Sequence, residues 1–165
     1  MKKQIKETHH INTSLPNGFF LAHSDSLITW ARRETPKISQ GVFVYNTSKL
    51  DSVFVWDDNK MKKYIDSVIF GHILGPIDNS YMCTEKVALV KKDSIKLKDG
   101  FAIKIQSLWR MENDFMGGVF MAYLINRPSG LSPLLIYTYL YAPGQKKNIS
   151  LLQLESIVRG SNILK

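Results

Sequence analysis

The chain has 165 residues, 44% of them hydrophobic and 22% charged, with a formal net charge of +8. That length suits one domain or two small interlocked halves with a sizeable core, and the balance excludes disordered and fibrous classes. The longest apolar runs, around Leu134 to Tyr141 and Val119 to Ile125, are far shorter than the roughly 20 residues of a membrane helix.

The positive charge favours anionic partners such as nucleic acid, phospholipid or acidic glycans. Its lysines, however, are scattered from Lys2 to Lys147, which describes a solvated surface. A single Cys83 permits no internal disulfide and reads as a small buried or half-buried residue. The opening Met1 to Lys6 is basic with no apolar segment behind it, unlike a secretory signal. It reads as a cytosolic terminus or as the edge of an expressed piece.

Residues 1–14 lack periodicity and are expected to form a flexible N-terminal arm. His9 and His10 are adjacent there, but no second cluster of ligands accompanies them, and no metal site is expected. After the turn signal Pro16-Asn17-Gly18, Phe19 to Ala22 and Leu27 to Arg33 read as a hairpin across Ser24-Asp25, and Gly41 to Asn46 as a third strand. Asp57-Asp58-Asn59 supplies capping side chains for a helix whose apolar positions are Met61, Tyr64, Ile65, Val68 and Ile69. Gly71 and Gly75-Pro76 close it.

Tyr81 to Val90 is expected to be extended, interrupted by Glu85-Lys86, and Lys91 to Gly100 to be a polar connection. Phe101, Ile103, Ile105, Trp109 and Met111 alternate with Lys104, Gln106 and Arg110, predicting a strand with one buried face. Gly117 to Ile125 and Leu134 to Ala142, joined by Asn126 to Gly130, are apolar throughout, as strands covered on both faces are. Ser150 to Gln153 matches a capping box for a last helix, with Leu151, Leu154, Ile157 and Val158 on its apolar side and Gly160 as its stop. The fold class is α+β: an antiparallel sheet with helices packed on it. Residues 15–165 form the single domain, as two pseudo-repeated strand-strand-strand-helix halves of about 15–74 and 75–165.

The repeat is sharpest in two hairpins. Leu108-Trp109-Arg110-Met111-Glu112 leads through Asn113-Asp114-Phe115-Met116 into Gly117-Gly118-Val119-Phe120. Upstream, Trp30-Ala31-Arg32-Arg33-Glu34 leads into Gln40-Gly41-Val42-Phe43. Trp109 and Trp30 read as core anchors. Arg110 and Glu112 share the opposite strand face, where they form an ion pair or grip a polar ligand; Asp114, Gly117 and Gly118 complete that candidate ligand site. Gly144, Lys146 and Lys147, before the last helix, are the anion-binding candidates. Tyr137, Tyr139 and Tyr141 line one strand face, either packed beneath a helix or open for stacking nucleic-acid bases. No nucleophile, base, paired carboxylate or nucleotide fingerprint emerges, so no catalytic residues and no cofactor are assigned.

Several motifs in order carry a resemblance. Leu15-Pro16-Asn17-Gly18, Trp30 to Glu34, Ile38 to Gly41, Gly75-Pro76, Ser80-Tyr81-Met82, Leu108 to Glu112, Met116 to Gly118, Tyr141 to Gly144 and Gln153-Leu154-Glu155 are similar to an uncharacterised family of Bacteroidota envelope lipoproteins. Members of that family are usually about twice as long and carry a lipidated cysteine behind a leader, so this chain resembles their C-terminal half. The resemblance implies a cell-envelope location, with the cytoplasm as the alternative, and transfers no catalytic residue. The strand-rich opening is also similar in element order to the antiparallel-sheet domains of photosystem accessory proteins and their bacterial relatives. The implied function is a non-catalytic accessory or binding domain contacting a protein or an anionic ligand. The alternatives are a basic nucleic-acid-binding module and an enzyme centred near Arg110, Glu112 and Asp114.

Overall fold

The computed structural model describes residues 1–48, 57–127 and 130–164. The elements in chain order are α1 (Lys2–His9), β1 (Ile11–Asn12), β2 (Phe20–Ser24), β3 (Ile28–Glu34), β4 (Ser39–Asn46) and α2 (Asp58–Ile69). They continue with β5 (Tyr81–Thr84), β6 (Lys91–Leu97), β7 (Gly100–Glu112), β8 (Gly117–Ile125), β9 (Leu134–Tyr141), α3 (Asn148–Arg159) and β10 (Asn162–Ile163). Every strand pairing is antiparallel, in the order β2-β3-β4-β9-β8-β7-β5. The long β7 serves two partners: β6 pairs with its first half and β5 with its last four residues.

Alternation along the strands divides the core in two. Phe43, Ile105, Trp109, Phe120, Tyr137 and Tyr139 face α2 and pack with Met61, Ile65, Val68 and Ile69. Val42, Val44, Met121, Tyr123, Ile136 and Leu140 face the other way, toward Ile5 of α1 and Leu154, Ile157 and Val158 of α3. The expected α+β architecture is present, with helices on both faces of the sheet. This explains why β8 and β9 are apolar at nearly every position: each side chain has a covered face to enter. The tyrosine row lies on the α2 side, and Tyr137 and Tyr139 are buried, which withdraws them from base stacking.

Several local expectations need correction. Residues 1–14 are no loose arm. Residues 2–9 form α1, Ile5 and His9 are buried, and Ile11 pairs with Ile163 in a two-stranded ribbon. The short helix buries only one narrow stripe, too brief to register as a period. The polar segment from Lys91 is the edge strand β6, with Ile95 and Leu97 in the core; its exposed lysines are what protects an edge from further pairing. Extension from Tyr81 stops at Thr84, where the interruption at Glu85-Lys86 is expected, but does not resume before Lys91. Beyond it, Lys62 Nζ donates to the carbonyls of Glu85, Lys86 and Ala88 at 3.1, 2.8 and 2.7 Å, which holds a turn instead.

The first half follows the strand-strand-strand-helix order in β2, β3, β4 and α2, whereas five strands precede α3 in the second. Phe101, expected inside, is 65% exposed, because the α2-side core reaches back along β7 only to the partly covered Ile103. Asp57 caps α2 as expected by accepting from the Lys60 amide at 3.0 Å. The capping box at Ser150 does not form: α3 starts earlier, with Lys147 as its N-cap and no side-chain cap bond, while Gly160 ends it as expected. Part of the Asn126 to Gly130 connection, residues 128–129, lies outside the described residues.

The docking of α1 has a pH signature. His9 is buried, with Nδ1 3.1 Å from Asn46 Oδ1 and Nε2 2.9 Å from Thr29 Oγ1. Arg127 donates to the His9 carbonyl and to Asn46 Oδ1. Burial holds His9 below its ordinary pKa of 6.5 against the opposing Asn46 bond, and the Arg127 charge adds to the depression. The unfolded chain therefore binds this proton more readily, and stability that is full above pH 6.5 is lost as the pH falls toward the depressed folded value. The melting temperature is expected to drop as the pH is lowered from about 7.5 to about 5, with a shallower slope in His9→Gln. An unchanged slope in that variant would contradict this origin.

Candidate functional site

The two hairpins end at the same edge of the molecule, and one residue of spacing decides which side chains meet there. In the upstream copy Trp30, Arg32 and Glu34 occupy alternate positions of β3 and share the α2-side face. In the downstream copy only Trp109 and Met111 use that face; Arg110 and Glu112, shifted by one, use the opposite one. The result is a cleft of about 440 Å³ whose lining includes Trp30, Arg32, Trp109, Met111, Tyr139 and Tyr141. The turn through Thr35 to Ser39 forms one wall, and Ile73 to Pro76, just after α2, the other.

Aromatic geometry sets the floor. The Trp109 ring meets Tyr139 edge-on at 6.0 Å and Tyr141 at 6.2 Å, distances at which aromatic pairs attract. Its Nε1 donates to the Leu140 carbonyl at 3.3 Å, so this indole is fully employed. Trp30 differs: it is 8% exposed and its buried Nε1 has no hydrogen-bond partner. The Trp30 N–H lies near the Tyr139 hydroxyl, close enough to favour the phenolate slightly, yet outside hydrogen-bonding geometry. Burial nonetheless pushes Tyr139 up to about 12, so it remains a neutral phenol.

At the mouth, Arg32 donates to Glu34 Oε1 from Nε at 2.9 Å and from its terminal nitrogen at 2.5 Å; Ser39 Oγ donates to the same oxygen at 2.9 Å. The Arg32 guanidinium also sits 5.1 Å from the Trp30 ring centre. Its charge is thus already answered by a carboxylate and a π face. Apolar surface continues outward over Leu74, Ile77 and Phe70, whose side chains are exposed.

The expected site on the opposite face is only partly assembled. Arg110 donates to Glu112 Oε2 at 2.5 Å, the ion pair anticipated, and lies 3.9 Å from Glu85. That hydrogen bond and charge hold Glu112 below its ordinary range and Arg110 above its own. The two share a depression with Cys83, Asp66 and Lys63. Burial pushes the Cys83 thiol up to about 11, against the pull of Arg110, which leaves it protonated and a poor nucleophile at neutral pH.

Asp114, Gly117 and Gly118 lie in a second, more open depression that Arg110 also borders and Glu112 does not; Lys147 joins them there. Gly144 and Lys146 stay on the turn before α3, outside that depression. Gly118 is small for an internal reason: an added Cβ would stand 2.1 Å from the Leu140 carbonyl oxygen and 2.9 Å from Trp109 Nε1. The indole crosses this residue to reach its acceptor, so no external ligand is needed to explain the glycine. Among the described residues no group of three or more His, Cys, Asp or Glu side chains is placed to hold a metal ion.

The cleft is hard to see in the sequence because both tryptophans read as core anchors and the stronger copy draws attention to its ion pair. The signal lies in the weaker copy, where Trp30, Arg32 and Glu34 share one parity.

A covered antiparallel sheet with helices on both faces and one aromatic cleft at the hairpin ends defines this as a mixed α+β domain. The chain belongs to the family described as a domain of unknown function, DUF4837, whose model matches residues 1–160. No curated protein sequence matches it. Its fold is similar to that of the Saccharomyces cerevisiae Ran-binding protein Mog1p, at 11% identity and a TM-score of 0.52, covering 94% of this chain and 91% of that one. A point mutant of protein Mog1 is similar to the same degree, with 92% of its chain covered. Among the described residues no helix is long and apolar enough to cross a membrane.

Proposed function

We propose that this domain is a non-catalytic binding module and that its aromatic cleft receives an apolar segment of a protein partner. The carrying observation is the open cleft of about 440 Å³, walled by Trp30, Trp109, Tyr139, Tyr141 and methionine side chains. Clefts of this size, mostly apolar with a few polar groups, are the usual form of a ligand site. The Ran-binding description of Mog1p is compatible with a protein partner.

The raised thiol of Cys83 and the mutual neutralisation of Arg110 and Glu112 weigh against chemistry on the other face. The setting we propose is the bacterial cell envelope, as the family resemblance implies; recovery of the native protein in the soluble cytosolic fraction would argue against it.

Selection from a random peptide library tests the binding reading. Recovered peptides are expected to bind in the micromolar range and to weaken at least tenfold on Tyr141→Ala, which strips one cleft wall. Failure to recover any cleft-dependent peptide would overturn the proposal. So would turnover of a substrate by the purified domain that Glu112→Gln abolishes.

A further inference from the structure

We propose that the corner of the molecule where the β7–β8 turn meets the start of α3 rests on an anionic phospholipid bilayer, with Phe115, Ile149 and Leu152 entering its interface and Lys146 and Lys147 meeting its headgroups. This goes beyond the cleft reading and does not depend on it, since the cleft lies on the α2 side of the sheet and this corner on the α3 side.

Strand parity builds the apolar part. Leu108, opposite in parity to Trp109, pairs with Val119 of β8, which pairs in turn with Leu140 of β9. The three form an apolar row on the α3 face. Leu140 is buried in the α3-side core, but the far end of the row is left open, and Leu108 is exposed. Phe115, in the turn after β7, is fully exposed and borders the same depression as Leu108, Val119 and Lys147. Ile149, two residues beyond Lys147, is 84% exposed, and Leu152, at the neighbouring position one turn along α3, is 63% exposed.

The charges around these side chains are cations without carboxylate partners. Among the described residues Lys146 and Lys147 make no ion pair, and the first turn of α3 carries no acidic residue. Arg33, which borders the Ile149 depression, reaches only the side-chain amides of Gln40 and Gln153. The carboxylates nearby are occupied: Glu85 and Glu112 lie against Arg110, and Asp114 accepts from the Phe115 amide at 2.7 Å.

Apolar side chains that protrude singly from turns and a helix surface, rimmed by free cations, suit a fluid partner. A folded protein would need a separate pocket for each, whereas a bilayer yields to all of them. A nucleic acid would answer the cations and leave the apolar groups in water. Apolar groups combined with lysines are how soluble surfaces bind anionic membranes, and the net charge of +8 favours the same approach.

Cosedimentation of the whole domain with vesicles tests this, using phosphatidylcholine alone and phosphatidylcholine mixed with phosphatidylglycerol. Binding is expected to the mixed vesicles and much less to the neutral ones. The double variant Lys146→Gln/Lys147→Gln and the double variant Phe115→Ser/Ile149→Ser are each expected to weaken it by about tenfold or more, with unchanged melting temperatures. Phe115→Ser alone, at a fully exposed position, should weaken it in the same direction, while Tyr141→Ala, in the cleft, should not. No binding to the mixed vesicles would overturn the proposal, as would equal binding to both kinds. Loss of binding in the lysine variant with none in the serine variant would reduce the effect to diffuse attraction and overturn the insertion. A concentration-dependent dimer that Phe115→Ser/Ile149→Ser abolishes, in place of vesicle binding, would assign the corner to a second copy of the chain and overturn it too.

Discussion

Trp109→Ala is expected to lower the free energy of unfolding by about 3–5 kcal/mol, a large fraction of the roughly 5–15 kcal/mol that a domain of this size possesses. Trp109 is 2% exposed and joins β7 to the α2-side core. Its removal deletes the largest fully buried side chain among the described residues and leaves a cavity bordered by Tyr139, Tyr141 and Met111. It also takes from the Leu140 carbonyl the indole N–H that serves as its side-chain donor. Trp109→Phe separates the two effects. It restores much of the ring but not that donor, so a smaller loss of about 1–3 kcal/mol is expected. Denaturant unfolding measures both; a loss under about 1 kcal/mol for the alanine variant would show that the Trp109 site collapses freely and anchors nothing.

The second large effect is at Gly118. Alanine there would set its Cβ 2.1 Å from the Leu140 carbonyl oxygen and 2.9 to 3.1 Å from the Trp109 indole, closer than atoms pack without displacement. Since the Leu140 carbonyl is backbone within the sheet, β8 and β9 must separate locally or the indole must leave its acceptor. Overpacking of this kind costs about 1–3 kcal/mol, and the rigid obstacle puts Gly118→Ala at the upper end. Gly41 provides the comparison. Its added Cβ would meet the Tyr139 ring at 2.0 to 2.7 Å, and that ring is buried against Trp109, so Gly41→Ala is expected to cost stability as well and to disturb the cleft floor. No loss of stability at Gly41→Ala would contradict this.

Periodicity exposes the parts of the fold that repeat a simple pattern. α2 carries its apolar positions on one face behind a capping aspartate, and β8 and β9 are apolar on both faces, so each is recognisable before any contact is known. The elements that escape detection depend on partners distant in sequence. Ile5 and Ile11 look isolated until α1 packs on the sheet and β1 meets β10. β6 reads as a polar loop because an edge strand needs only Ile95 and Leu97 inside. The loop after Thr84 is fixed by Lys62, from a helix well upstream, and nothing local announces that.

For the candidate site the lesson concerns parity. The motif around Trp109 is legible as half of a repeat, and the Arg110 to Glu112 ion pair forms as its spacing implies. The cleft, however, takes a tryptophan and methionines but no ion pair from that copy, and both a tryptophan and an ion pair from the other. The stretch from Trp30 through Arg32 to Glu34 keeps all three on one face, whereas the stretch from Trp109 through Arg110 to Glu112 divides them. That difference of one residue becomes decisive only when strand pairing brings the two ends together, which requires knowing that β9 lies between β4 and β8.

Nuclear magnetic resonance titration of the isotopically labelled domain with a peptide recovered from the library tests the central claim most directly. Amide shifts are expected to cluster along β3, the Thr35 to Ser39 turn and Ile73 to Gly75, with the Trp30 indole resonance moving among them as the cleft is covered. Shifts confined to Arg110, Glu112 and Cys83, with the Trp30 indole unmoved, would contradict the account and return the site to the opposite face of the sheet.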